Sequence, residues 1–307
     1  MTTLFLTDEL HAGHQMDGHP ERPRRVQRIV ESLTETGVIG DLEVPATAEA
    51  TLDDLKLVHA PAYVDEICAF DPGEATYMIG NDTYLNSSSL RAARLAAGAA
   101  RQATDAVLDG SVDNAFCAVR PPGHHAEVAV PMGFCFFNSV AIAAAAALSR
   151  PDVERVAILD IDVHHCNGTV DIFKDRPEVL VCSSFQDNFY PGRYLDYEND
   201  HVLNTPLAAG STGADFRQGI DARWWQRIDA FNADLILLSA GFDAHLEDDI
   251  SALRLGDEEY AWFIRELRAF AATATDGRLV SVLEGGYSED VLGRVVPDHA
   301  AVLAGAA

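Results

Sequence analysis

Five stretches of this chain are continuous apolar runs: NAFCAVR (114–120), RVAILDID (155–162), EVLVCSSF (178–185), DLILLSAG (234–241) and RLVSVLEGG (278–286). Runs of this length, rich in Val, Ile and Leu and without strict alternation, predict strands covered on both faces, as in a parallel sheet. Between most of them the chain reads as helix, over 89–108 (SLRAARLAAGAARQATDAVL), 138–148, 216–232 (FRQGIDARWWQRIDAFN) and 257–274 (DEEYAWFIRELRAFAATA). Strand and helix in alternation predict the α/β class, with a parallel sheet flanked by helices. No repeat, low-complexity linker or break in composition divides residues 1–307, so a single domain is expected.

Polar residues are not scattered through these runs. They gather where the runs end: RPPGHH after the first, DIDVHHCNG after the second, SSFQDN after the third, GFDAH after the fourth and EGGY after the fifth. Ligands of open α/β sheets bind outside the carboxyl ends of the strands, so the five loops are expected to converge on one site.

Composition narrows what that site serves. With 48 acidic against 22 basic side chains and a net charge of −26, the surface repels nucleic acid phosphates and attracts cations, including cationic small molecules and basic peptides. Lys56 and Lys174 are the only lysines. An acidic, lysine-poor surface also suits high salt, where self-repulsion is screened. The apolar run from Val140 to Leu148 is too short to cross a bilayer, and the opening MTTLFLTDELHAGHQ lacks a basic-then-apolar leader. A cytoplasmic location without membrane or nucleic acid partners is expected, with a homo-oligomer left open. Cys68, Cys117, Cys135, Cys166 and Cys182 are odd in number and include no CxxC pair, which points to reduced thiols.

The chemistry concentrates in ILDIDVHHCNGT (158–169). One residue separates Asp162 from His164 at a strand end, so both side chains can face one ion, and Asp243 in SAGFDAH offers a third ligand from another strand end. Two carboxylates and an imidazole suit catalytic zinc or ferrous iron; a closed structural zinc site usually carries thiolates. His124 and His125 follow the first strand, and Asp160 and Asn167 flank the metal ligands as two groups able to orient them. If Asp160 pairs with His124, its charge favours the imidazolium. If the neutral Asn167 pairs with His125, that ring stays nearer neutral and can act as base. Tyr287 follows two glycines in LEGGY, and a phenol opposite the metal can donate to a developing oxyanion.

RPPGHHA, GFCFFN (133–138), DIDVHHCNGT, SAGFDAH and EGGY, in this order, resemble the histone deacetylase superfamily of zinc-dependent amidohydrolases. GHPERP (18–23), LVHAPAYVDEI (57–67) and NDTYLNSSSLRAARLAAGAA (81–100) extend the likeness over essentially the whole chain. The resemblance implies the arginase/deacetylase fold, with a central parallel eight-stranded sheet, and hydrolysis of an N-acyl amide such as acetyl-lysine or an acetylpolyamine. It implies zinc on Asp162, His164 and Asp243, a catalytic His124–His125 pair oriented by Asp160 and Asn167, and Tyr287 as oxyanion stabiliser. Phe134 and Tyr190 fall where aromatic residues line the acyl tunnel, Asp82 where a rim aspartate holds the substrate, and Gly133, Ile250 and Gly286 among the substrate contacts. A structural potassium ion is implied at Asp160, Asp162, His164, Ser183 and Ser184. Asn167 and EGGY resemble the class II-like branch with its bacterial amidohydrolases.

Two positions depart from the pattern or qualify it. Ile250 stands where polyamine-selective relatives can carry a glutamate, and an apolar residue there resembles the lysine-deacylating members, although Glu247, Asp248 and Asp249 in the same loop would still attract a cation. Cys166 stands where most relatives have glycine; it is read as a departure and not as a ligand, and His165 as structural. Two alternatives remain: a two-manganese ureohydrolase of the arginase kind, which needs extra carboxylates that DVHHCNG and GFDAHLED do not offer, and a non-catalytic acyl-amine binding protein, which would be expected to have lost a ligand or the tyrosine.

Overall fold

The computed structural model describes residues 1–80 and 82–306; Asn81 of the NDTYLN motif and Ala307 lie outside them. Among the described residues ten strands form: β1 (Thr3–Leu6), β2 (Leu42–Glu43), β3 (Tyr77–Ile79), β4 (Thr83–Leu85), β5 (Asn114–Cys117), β6 (Val156–Asp160), β7 (Val179–Gln186), β8 (Val202–Leu207), β9 (Leu235–Ala240) and β10 (Leu279–Leu283). Eight of them make one sheet in the order β2-β1-β5-β10-β9-β6-β7-β8, and every neighbouring pair in it is parallel. β3 and β4 form a separate antiparallel hairpin. The five apolar runs of the sequence are the contiguous centre of the sheet, β5-β10-β9-β6-β7. Their carboxyl ends stand side by side, with Asp160 opposite Ser239 and Ala240 opposite Leu283.

Alternation along each strand divides the core in two. Val156 and Ile158 of β6 and Leu235 and Leu237 of β9 pack on one face, under the helices Ser89–Leu108 and Ser139–Leu148. Ala157 and Leu159 of β6, with Ile236 and Leu238 of β9, pack on the other, under Arg24–Glu35, Gly213–Arg223, Asp257–Ala274 and Glu289–Ala304. A sheet covered on both faces explains why these strands read as unbroken apolar runs. The helix Ser139–Leu148 is apolar all round because it is buried all round, and the Asn138 side chain caps it, accepting from Ala141 N at 2.9 Å.

The helices expected over 89–108 and 257–274 form over those spans. The single helix expected over 216–232 is instead two, Gly213–Arg223 and Trp225–Phe231, which meet at Trp224. The fully buried Trp224 donates from Nε1 to Thr205 Oγ1 on β8 at 2.9 Å, and that tertiary anchor outweighs the continuous helical pattern. No described helix is long and apolar enough to cross a membrane.

Candidate active site

Beyond the end of β6 the chain turns so that Asp162 and His164 meet Asp243, which follows β9; one ligand atom from each lies within 4.8 Å of the others. His164 Nδ1 is 2.9 Å from Asp162 Oδ1 and 3.4 Å from Asp243 Oδ2. Asp162 Oδ2 accepts from Gly285 N at 2.8 Å and Asp243 Oδ1 from Val163 N at 3.0 Å, so backbone amides aim both carboxylates. Glycine is needed around them: a Cβ on Gly285 would come within 2.0 Å of Asp243 Oδ2, and one on Gly241 within 2.3 Å of Asp162 Oδ2.

The cluster fits a divalent cation. Asp243 Oδ2 is buried and has no hydrogen-bond partner, a costly state for a carboxylate oxygen unless a cation meets it. Burial, and after it the neighbouring charge of Asp162, push Asp243 up to about 6. Burial also opposes charge on His164, yet Asp162 and Asp243 outweigh it and raise this ring to about 9. One imidazole and two carboxylates are a donor set for zinc or ferrous iron.

The histidine pair after β5 faces the cluster. His124 Nδ1 lies 2.9 Å from Asp160 Oδ2, and His125 Nδ1 lies 2.6 Å from Asn167 Oδ1. Burial would lower His124, but Asp160, Asp162 and Glu284 overcome it and hold the ring at about 10. His125 is driven well below the usual histidine range by burial and by the charges of His124 and His164. The two adjacent histidines are thus driven apart, His124 toward the cation by the carboxylates around it and His125 toward the neutral ring by burial and the neighbouring positive charges. Glu284 holds the loop that carries them, its Oε2 accepting from Gly123 N at 2.6 Å and His124 N at 3.1 Å.

Above the cluster lies a cavity of about 240 Å³ lined by Asp82, His125, Gly133, Phe134, His164, Phe189, Tyr190, Ile250 and Tyr287. Burial raises the Tyr287 phenol well above its usual range, so it remains a proton donor. Arg25, fully buried, stacks over the Tyr287 ring at 4.9 Å and donates to the carbonyls of Glu284 and Gly286.

A family model described as the histone deacetylase domain matches residues 19–303. The chain belongs to the histone deacetylase family. A histone deacetylase-like amidohydrolase of Pseudomonas aeruginosa is 37% identical over 280 residues, covering 89% of this chain and 73% of that protein. A probable deacetylase of Archaeoglobus fulgidus is 35% identical over 298 residues, covering 94% of this chain and 82% of the other. The crystal structure of the HDA15 HD domain superposes with a TM-score of 0.93 at 33% identity, covering 100% of this chain and 89% of that one. These relatives support a deacetylase of the amidohydrolase kind, and the central eight-stranded parallel sheet flanked by helices is the deacetylase fold.

In this histone deacetylase family member, the expected ligands, histidine pair and Tyr287 converge, and Gly133, Phe134, Tyr190 and Ile250 line the cavity. Asp82 sits at the rim with both oxygens engaged, one by Gly133 N at 2.9 Å and the other by the Tyr190 hydroxyl at 2.8 Å. Gly286 lies outside the lining residues; its φ of +115° makes the turn that presents Tyr287. Ser183 and Ser184 are buried near the carboxyl end of β7, beside Asp160 on β6. His165 points to Asn204, its Nε2 3.1 Å from Oδ1. Cys166 has φ −78°, a backbone that any residue adopts, and burial pushes its thiol well above the usual range.

Sequence reasoning missed Phe189, Glu284, Arg25 and Glu127, and read Asp248 only as a carboxylate that attracts a cation. Phe189 stacks on His164 with centroids 5.3 Å apart, and its position beside Tyr190 in NFYPG was the available signal. Glu284 stood inside the EGGY motif without an assigned role.

Proposed function

We propose that this protein is a zinc-dependent amidohydrolase that removes an acetyl or longer acyl group from an N-acylated amine. Asp162, His164 and Asp243 hold the metal. The carrying observation is that this buried cluster, with an unpartnered carboxylate oxygen, underlies a cavity walled by His125 and Tyr287. A divalent cation there supplies Lewis-acid chemistry, polarising an amide carbonyl and making water more acidic.

The chain's own groups then divide the work. Phe134, Phe189, Tyr190 and Ile250 give the acyl chain and its linker an apolar sleeve. His125, kept neutral, takes the proton of the attacking water at Nε2. His124, paired with Asp160, presents positive charge where the carbonyl oxygen becomes anionic, and Tyr287 donates to that same oxygen. His125 then returns the proton to the departing amine. Ile250 in the sleeve supports acyl-lysine over an acetylpolyamine, whose second ammonium would meet an aliphatic wall. The buried Ser183 Oγ, also without a partner, supports a structural potassium ion held with Asp160, Asp162, His164 and Ser184.

The test is a panel of acetyl-lysine peptides, acetylpolyamines and longer acyl amides, assayed after chelation and after return of zinc or ferrous iron. Turnover that disappears with chelation and returns with one ion per chain is expected. A protein that binds metal normally and cleaves no member of the panel would end this reading. Two tightly bound divalent ions per chain would favour the ureohydrolase alternative.

A further inference from the structure

We infer that Glu127 is a positioning residue: it decides which end of the Asn167 amide faces His125, and so which ring nitrogen of His125 is free to accept a proton. His125 is a base only under the amidohydrolase reading above; the hydrogen-bond directions stand without it.

Four side chains form one line from the site to the surface. His125 Nδ1 is 2.6 Å from Asn167 Oδ1, Asn167 Nδ2 donates to Glu127 Oε1 at 2.8 Å, and Glu127 Oε2 is 2.9 Å from Arg193 Nη2. His125, Asn167 and Glu127 are buried, while the Arg193 side chain is 47% exposed.

The two ends of an asparagine amide have nearly the same shape, so only the chemistry of its partners orients it. A carboxylate paired with a guanidinium is an acceptor, and it draws the Asn167 NH₂ toward itself. The His125 carbonyl at 3.3 Å and Met132 Sδ at 3.2 Å are further acceptors at that end, each weaker than a carboxylate. Asn167 Oδ1 is left to face His125, so His125 Nδ1 must carry the proton and Nε2 keeps its lone pair. Burial raises Glu127 above the usual carboxylate range, and Asn167 and Arg193 oppose that rise. Arg193 belongs to the loop that sends Phe189 and Tyr190 into the cavity, so its ion pair also pins the sleeve to the relay.

Replacing the carboxylate by an amide gives a directional outcome. In Glu127→Gln the Arg193 guanidinium attracts the new amide oxygen, which turns the new NH₂ toward Asn167 and favours the flipped Asn167. In the Glu127→Gln/Asn167→Asp double variant, the introduced carboxylate accepts from both His125 and the introduced amide, and the original direction returns.

The experiment uses the zinc-loaded full chain. Two-bond ¹H–¹⁵N spectra of histidine-labelled protein, with His125 assigned by its loss in His125→Ala, read the tautomer; steady-state kinetics on an acetyl-lysine peptide read kcat and KM at each variant's pH optimum. Expected are an Nδ1–H tautomer in the parent and a shift toward Nε2–H in Glu127→Gln. That variant should lose about tenfold or more in kcat, with KM changed less than about twofold. Tautomer and most of kcat should recover in the double variant. Arg193→Met, which leaves the three buried residues unaltered, should lose kcat in the same direction by less. An unchanged His125 tautomer and kcat in Glu127→Gln, or a double variant no better than its parents, overturns the role. If the parent cleaves nothing, the amidohydrolase reading fails while the tautomer still reports on Glu127.

Discussion

At the scale of single residues, what each group does is set by what touches it. Tyr287 is the clearest case: burial keeps its phenol protonated, Arg25 stacks on its ring at 4.9 Å, and Phe134 meets it edge-on at 6.1 Å. Its hydroxyl therefore keeps its proton, and under the proposed mechanism Tyr287→Phe should lower kcat by about 10²–10³, or about 3–4 kcal/mol of transition-state stabilisation. Thermal stability should barely change, because the ring and its packing remain. Turnover unaffected by the substitution would remove the oxyanion role and with it the assigned mechanism. Cys166 is the opposite case. Its φ is ordinary and its side chain is buried away from the ligand cluster, so Cys166→Gly should retain one metal ion per chain by elemental analysis. The added backbone freedom should cost about 1 kcal/mol in chemical denaturation; loss of metal in that variant would make the thiol a ligand.

At the scale of elements, the site is held by ties between loops that are distant in sequence. Asp248, in the loop after β9, accepts from Tyr287 N at 2.5 Å and Ser288 N at 3.0 Å with one oxygen, and from Ile250 N at 3.2 Å with the other. It fastens the cavity residue Ile250 to the loop that carries Tyr287. Asp248→Asn puts an amide NH₂ where only acceptors fit, and should cost about 1–3 kcal/mol of stability together with about tenfold in kcat. Melting curves and kinetics on the same preparation check both, and an unchanged kcat would show that Tyr287 is positioned without this tie. Such ties also mark what could be read from the chain. Asp162, His164 and the histidine pair were legible because each motif is local and ends a long apolar run. The ties made by Glu127, Arg25 and Asp248 were not, because they reach into other loops: Arg25 Nη2 reaches the carbonyl of Glu284, far along the chain, at 2.6 Å. The outer strands β1, β2 and β8 escaped for another reason. β1 and β2 lie in shorter apolar stretches of the chain than the five central runs, and β8 carries Pro206, which an edge strand tolerates but a central one does not.

At the scale of the whole molecule, the net charge of −26 acts on stability and on binding with opposite signs. Like charges repel across the folded surface and less so in the expanded chain, so screening them should stabilise the fold. Pairs such as Arg294 with Glu247 and Asp257 weaken as salt rises, but exposed pairs contribute only about 0–1 kcal/mol each, and carboxylates far outnumber cations. Raising NaCl from about 0.1 M to 1 M shortens the Debye length from about 10 Å to 3 Å. With KCl held fixed, so that the proposed potassium site sees a constant concentration of its ion, the melting temperature should rise by several degrees. NaCl is preferred to sulfate because sulfate stabilises most proteins by exclusion from their surface. The same screening weakens the attraction between the acidic surface and a cationic substrate, so kcat/KM for an acetyl-lysine peptide with flanking lysines should fall over that range, mainly through KM, while an uncharged acyl amide should be nearly indifferent. A melting temperature highest at low salt would mean that local ion pairs, not net repulsion, govern this fold, and equal salt responses for charged and neutral substrates would mean that the surface field does not reach the cavity mouth.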